Sequence, residues 1–328
     1  MSLQQGCDRP MELQLSSATR PTLILAEEET VRLRNSLQPQ STPSLTPAEG
    51  QALAAEAAQW LQQGTAQFRQ GQFTPALALL KQALQAYQEL ADQPQQAKVL
   101  MILASVYYRL ADYVWAADYG RQCLQLAYTL PDLSLLQQVL GHLGNSYRHL
   151  GDLQQALQYM NQSLQVAKDM GDRRAEMRAL NNLAMVYRAK GLTRQAATLY
   201  EASLLIAQGL EDTVVQLQIL QNLGNTYQSL RHYSQAIECY EAFLKLNQGE
   251  PNAVVDNCTT RRILTRLTTA SLAIQDYDRA ILHLQQHLTM ACTLGDTRSA
   301  TALMDELRHC YNALNQVRAF RPLESVSA

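Results

Sequence analysis

Several things are scarce or absent in this 328-residue chain, and each absence narrows what it can be. Its six cysteines (Cys7, Cys123, Cys239, Cys258, Cys292 and Cys310) form no C-x-x-C pair, so neither a disulfide framework nor a zinc site is indicated. No apolar run approaches the roughly 20 residues that cross a bilayer. The opening "MSLQQGCDRPMELQ" has no basic flank leading into an apolar run, so no signal peptide is expected. The phosphate-cradling G-x-x-x-x-G-K, the dinucleotide G-x-G-x-x-G and the nucleophile elbow G-x-S-x-G are all missing, which leaves catalysis without a foothold. Only 17% of residues are charged and the formal net charge is -2, so bulk charge points to no polyanion. The expectation is a cytoplasmic protein that is no enzyme and carries no cofactor.

What is there is a ladder. Tyr107, Tyr147, Tyr187 and Tyr227 stand 40 residues apart. Leu103, Leu143, Leu183 and Leu223 precede them by four, and Leu100, Leu140, Leu180 and Leu220 by seven. Ala116, Ala156, Ala196 and Ala236 follow by nine. Upstream the frame finds Trp60, Gly64 and Ala76; downstream it lengthens to 44 and finds Leu264, Leu267, Ser271 and Ala280, then Met304, Leu307 and Tyr311. Spacings of 3, 4 and 7 mark one face of a helix. Each block breaks near Gly71, Ala111, Gly151, Gly191 or Arg231 and restarts in a second periodic run, so the unit is helix–turn–helix. Between units "LADQ", "LPDL", "MGDR", "LEDT" and "LGDT" read as helix stops. The recurrent alanine predicts a close crossing of helix B on helix A.

These motifs, Trp60-x-x-x-Gly64 and Leu143-Gly144-x-x-Tyr147-x-x-x-Gly151-x-x-x-x-Ala156 with their copies, resemble tetratricopeptide repeats. The period of 40 is similar to the longer variety of Leu-Gly-Asn-type adaptors and kinesin light chains. The resemblance covers about residues 46–317 and implies an all-α, right-handed superhelix of six helix pairs with a C-terminal capping helix. The repeats fall at about 46–92, 93–132, 133–172, 173–212, 213–252 and 253–296, with the cap at 297–317. Thr46-Pro47-Ala48-Glu49 reads as an N-cap, a proline at the first helical position and a glutamate that reaches back. Residues 1–45 read as a tail whose "NSLQPQSTPSLTP" is a linker, and 318–328 as a second tail.

The resemblance also implies a groove lined by the A helices, with side chains five, two and one before the tyrosine and one and two after it. Those positions include Arg109, His142, Asn145, Arg148, Asn182, Arg188, Asn222, Asn225 and Arg266. Asparagine is a poor helix former, and its amide offers donors and an acceptor to the main chain of an extended guest. Helix A windows 57–71, 97–111, 137–151, 177–192, 216–231 and 260–275 hold eleven Lys/Arg and no Asp or Glu, while the B windows hold nine acids and five bases. A face of one sign steers partners of the other, which predicts a protein partner with an acidic segment. The carboxylate clamp of chaperone-binding members is not matched, because Gly141, Gln218 and Asn222 stand where its bases would be.

Other classes remain open. One is a signalling regulator that binds a peptide or a response regulator. Another is a peripheral assembly factor for a membrane complex, photosynthetic by the likeness of the "LQQ" style to cyanobacterial repeat proteins. With few aromatics among the bases, nucleic acid is disfavoured. His283 and His287 stand four apart but without a third ligand, and His309-Cys310 diverge by about 100° on a helix. The longer "GEPNAVVDN" reads as a tolerated insertion. Finally "TLILAEEETVRL", Thr22 to Leu33, is an apolar-acidic segment, within residues 22–37, of the same kind as the expected guest. It is a candidate occupant of the groove in cis or, by self-association, in a neighbour.

Overall fold

The computed structural model describes residues 46–248 and 255–320. The acidic segment at 22–37 and most of the 249–257 insertion lie outside them. Thirteen α-helices account for nearly all of the described residues, and none of those residues is in a strand. They are α1 (Pro47–Arg69), α2 (Phe73–Glu89), α3 (Gln93–Arg109), α4 (Tyr113–Ala127), α5 (Leu133–Leu150), α6 (Leu153–Asp169) and α7 (Arg173–Ala189). After them come α8 (Thr193–Gly209), α9 (Thr213–Ser229), α10 (Tyr233–Gln248), α11 (Asn257–Ala273), α12 (Tyr277–Thr293) and α13 (Thr297–Phe320). The all-α helical-repeat class expected from the ladder is therefore found. Odd-numbered helices are the A helices and even-numbered ones the B helices.

Two compact units divide the chain: residues 1–102 with 122–131, and residues 103–121 with 132–328. In the first, α1 packs on α2 around Ala57, Leu61, Ala76 and Leu80. Gly64 is there because a Cβ would stand 2.9 Å from Leu80 Cγ. In the second, each helix from α5 onward packs on the next as far as α13, and the A helix α5 also meets the following A helix, α7. The alanines expected at the crossings are wholly buried: Ala156, Ala196, Ala236 and Ala280 are each 0% exposed.

The turns are built to one recipe. The residue at each expected break is left-handed, whether glycine (Gly151, φ 84°) or not (Ala111, φ 59°; Arg231, φ 60°). The aspartates between units correct the sequence expectation: they start the following helix rather than stop the preceding one. Nine aspartates cap, each accepting the N–H three residues on: Asp92, Asp132, Asp172, Asp212, Asp256 and Asp296 between units, and Asp112, Asp152 and Asp276 between the two helices of a unit. At α1 the expected capping box is formed, with Thr46 Oγ1 accepting from the Glu49 N–H and Glu49 accepting from the Thr46 N–H at 2.9 Å.

Small polar groups tie helix B to helix A inside the core. Ser163 Oγ donates to the Gln137 carbonyl at 3.1 Å and Ser203 Oγ to the Met177 carbonyl at 2.8 Å. Cys123 Sγ makes the same link to Ala97 O at 3.2 Å within the first unit. All three side chains are 0% exposed, so each satisfies itself on a carbonyl 26 residues earlier.

Candidate partner-binding face

Residues five and two before the ladder tyrosine, and one after it, are three apart and share one face of an A helix. All nine expected site residues belong to the second unit, on α3, α5, α7, α9 and α11. His142, Asn145, Arg148, Asn182, Asn222, Asn225 and Arg266 are half-buried, while Arg109 and Arg188 are exposed. The expected position one before the tyrosine is a correction. Ser146, Val186 and Thr226 are at most 1% exposed, and the two hydroxyls donate to the carbonyls of His142 and Asn222, so this position serves the core.

Side chains of adjacent A helices meet along this face. Tyr108 packs edge-on against His142 and His149, at ring centroid distances of 6.3 and 5.5 Å. His149 Nε2 lies 3.0 Å from the Tyr108 hydroxyl and 2.8 Å from Arg148 Nη2, and its ring stacks on Tyr113 at 4.2 Å. A guanidinium only donates, so Nε2 is an acceptor and the imidazole is neutral there. Burial, helped by the charge of Arg148, pushes His149 below the usual imidazole range, and burial alone does the same to His142. Further along, Arg266 Nη1 donates to Gln228 Oε1 at 3.3 Å, joining α11 to α9.

Two residues of this region were not anticipated: Tyr200 on α8 and Tyr240 on α10. They occupy the helix B position held elsewhere by Leu80, Gly120 and Met160. Each ring lies wholly buried. Gly224 makes room for Tyr240, since a Cβ there would stand 2.5 Å from the ring. The Tyr240 hydroxyl then reaches the A-helix face from beneath, donating to Asn225 Oδ1 at 2.8 Å with Gln228 Oε1 3.1 Å away. Asn225 is therefore partly spent inside the protein. The Tyr200 hydroxyl has no hydrogen-bond partner, and neither has the buried Nε of Arg148. Burial pushes both tyrosines up to about 12, opposed at Tyr200 by the charges of Arg188 and Arg148 and at Tyr240 by that of Arg266. A signal existed in the sequence: two tyrosines 40 apart at a position otherwise apolar.

The charge pattern is more than a division by face. Arg69, Arg109, Arg148 and Arg188 sit in last helical turns, where they also oppose the negative end of the helix dipole, while the capping aspartates sit at the positive ends. Glu176 lies within α7, one residue before the 177–192 window, and is held by Arg173 at 2.6 Å. On the stripe itself, from Ser105 to Leu272, no Asp or Glu occurs. The sign changes at α13, where Glu306 takes the position five before Tyr311.

The remaining candidates are buried or dispersed. His283 and His287 are 3% and 8% exposed, and His283 Nε2 is 3.4 Å from Glu241 Oε1. His287, His309 and Cys310 line a cavity of about 490 Å³ with Thr269, Leu303 and Glu306. Among the described residues no three His, Cys, Asp or Glu are placed to hold a metal ion, and no helix is long and apolar enough to cross a membrane.

Comparison with known proteins agrees with this architecture. Family models described as "Tetratricopeptide repeat" match residues 61–127, 135–208 and 176–248. No curated protein sequence matches the chain. Among solved structures, BtubC (BKLC) from P. vanneervenii is 18% identical with a TM-score of 0.57, over 75% of this chain and 92% of that one. A Rap protein complexed with Competence and Sporulation Factor is 17% identical with a TM-score of 0.55, over 80% and 76%. A kinesin light chain from Podosopora anserina with nearly identical TPR-like repeats is 18% identical with a TM-score of 0.52, over 60% and 96%.

Proposed function

The chain belongs to the tetratricopeptide repeat family, and from that premise we propose that it is a non-catalytic interaction scaffold. It holds an acidic segment of a partner protein, extended or helical, against the A-helix face of α3, α5, α7, α9 and α11. One observation carries this reading: a stripe bearing Arg109, Arg148, Arg188 and Arg266 and no carboxylate, in a chain whose formal charge is -2. Asn145, Asn182 and Asn222 supply amides for the guest's main chain, and the arginines pair with its carboxylates. The dipole explains why bases favour the last turns of α3, α5 and α7. It does not explain Arg266, which lies in the middle of α11. The protein acts where such partners are made, in the cytoplasm.

The likeness to the Rap complex keeps the signalling-regulator reading as the second one, in which the guest is a signalling factor rather than a structural partner. Affinity purification with mass spectrometry tests the choice, comparing wild type with Asn182→Ala/Arg188→Glu/Asn222→Ala. A partner that carries an acidic stretch, is lost in the triple variant and is weakened by salt is the expected result. A partner retained by the variant moves the site off this face.

A further inference from the structure

Within the A-helix face one position lacks something the next one has. The Tyr240 hydroxyl finds Asn225 and Gln228. Forty residues earlier, Met185 and Arg188 replace that pair around Tyr200. A thioether is a poor acceptor and a guanidinium is none at all, so the buried Tyr200 proton has nowhere to go. Phenylalanine would fill the same volume without the penalty of an unpaired hydroxyl. The neighbours repeat the imbalance. Arg148 Nε–H is buried and unpartnered, and Arg188 forms no ion pair among the described residues. Glu201, beside Tyr200 in the chain, is taken by the Tyr227 hydroxyl. Arg188 holds the register position from which Gln228 reaches the Tyr240 hydroxyl, and the charges of both Arg188 and Arg148 act on Tyr200, so donors of net charge +2 surround a hydroxyl that has no acceptor. An oxyanion has the complementary chemistry: acceptors only, and negative charge.

We propose that Tyr200, Arg148 and Arg188 form an anchoring subsite for one carboxylate of the bound acidic segment, with the Tyr200 hydroxyl and the Arg148 Nε–H as its fixed donors. The proposal rests on the acidic-segment reading above and gives that segment a register. One side-chain or terminal carboxylate enters between α5 and α7, and the rest runs along the stripe toward Arg266. Tyr200, held from below by helix B, and the buried Nε of Arg148 are ordered before the guest arrives, so little entropy is lost on binding there.

The test uses the full chain and two probes. Glutarate is titrated while the side-chain Nε–H resonance of Arg148 is followed by NMR, and a fluorescent glutamate octapeptide is followed by anisotropy at low and high salt. In wild type the Arg148 resonance is expected to shift saturably with glutarate. Tyr200→Phe, which removes only an unpaired hydroxyl, should lower affinity for both probes at least fivefold. Exposed Arg188→Gln should do likewise, and Tyr240→Phe should not. Peptide binding that is lost in Arg266→Glu but indifferent to Tyr200→Phe and Arg188→Gln overturns the subsite and leaves the acidic-segment reading standing. An octapeptide that fails to bind wild type while glutarate still moves Arg148 overturns that reading and supports the subsite. An unresponsive Arg148 resonance, or one that answers inorganic phosphate more tightly than glutarate, overturns the carboxylate assignment.

Discussion

Repeats four (α7 and α8) and five (α9 and α10) place a tyrosine at the same point of helix B, and only one of the two hydroxyls is satisfied. Both rings are 0% exposed, but the helix A residue above is Ala184 in one repeat and Gly224 in the other, where a Cβ would stand 2.5 Å from the Tyr240 ring. The outward face differs as well: Met185 and Arg188 in one repeat, Asn225 and Gln228 in the other. The scaffold is thus indifferent to the identity of its outward side chains, and those side chains decide whether a polar group is closed internally or left for a guest.

The largest effect that would break this equivalence comes from the space itself. Gly224→Ala puts a Cβ against the Tyr240 ring and should cost about 2 kcal/mol in urea denaturation, with loss of the Tyr240–Asn225 bond. Ala156→Leu, at a 0% exposed crossing, should cost on the order of 1–3 kcal/mol by the same overpacking. A similar loss in Ala184→Gly as in Gly224→Ala would show that space is not the operative difference.

A smaller and more pointed effect is one of sign. Tyr240→Phe removes a donor from Asn225 and should destabilise by about 1 kcal/mol, whereas Tyr200→Phe removes a hydroxyl that pairs with nothing and should be neutral or stabilising by up to about 1 kcal/mol. Equal destabilisation in both would mean that the Tyr200 hydroxyl has an internal partner after all.

Acidity offers a further contrast between imidazoles and carboxylates. Burial holds His142, His149 and His287 below the usual imidazole range, so their protons bind better to the unfolded chain. Their contribution is therefore present above about pH 6.5, the ordinary imidazole value, and is lost as pH falls toward their lowered folded values. The capping carboxylates of Asp256 and Asp296 are also held low, so theirs is lost only below about pH 4. Melting temperature should fall in two steps on acidification, and His149→Gln should shrink the first alone. The smallest change expected is at the turns. Arg231→Gly relieves a left-handed backbone at a residue with a side chain and should stabilise by roughly 1 kcal/mol.

Most of the repeat was legible because it is local. The spacing of leucine, glycine and tyrosine gives helix A, the alanine nine residues later gives the crossing, and the break residues are the left-handed ones observed. The aspartates were legible as turn markers but misassigned, because a stop signal and the next helix's cap share one short turn, and only the bond to the third N–H separates them. The site was half legible. Stripe positions follow from the ladder, but burial of Ser146, Val186 and Thr226 depends on how the next helix pair leans on them. Tyr200 and Tyr240 were missed because nothing in helix B announces that a side chain passes helix A to its far side. That becomes visible only with Gly224 and Asn225 in place.

The pairing of a left-handed residue with a capping aspartate has one more consequence. Ala111-Asp112, Gly151-Asp152, Gly171-Asp172 and Gln275-Asp276 each finish one helix and begin the next within two residues, with the capping bond made inside the turn itself. A joint of that kind can be cut and rejoined in register. Gene duplication or deletion in steps of one helix pair would lengthen or shorten the array without redesigning a single junction, so the reach of the binding face is open to inheritance as a number rather than as a new shape.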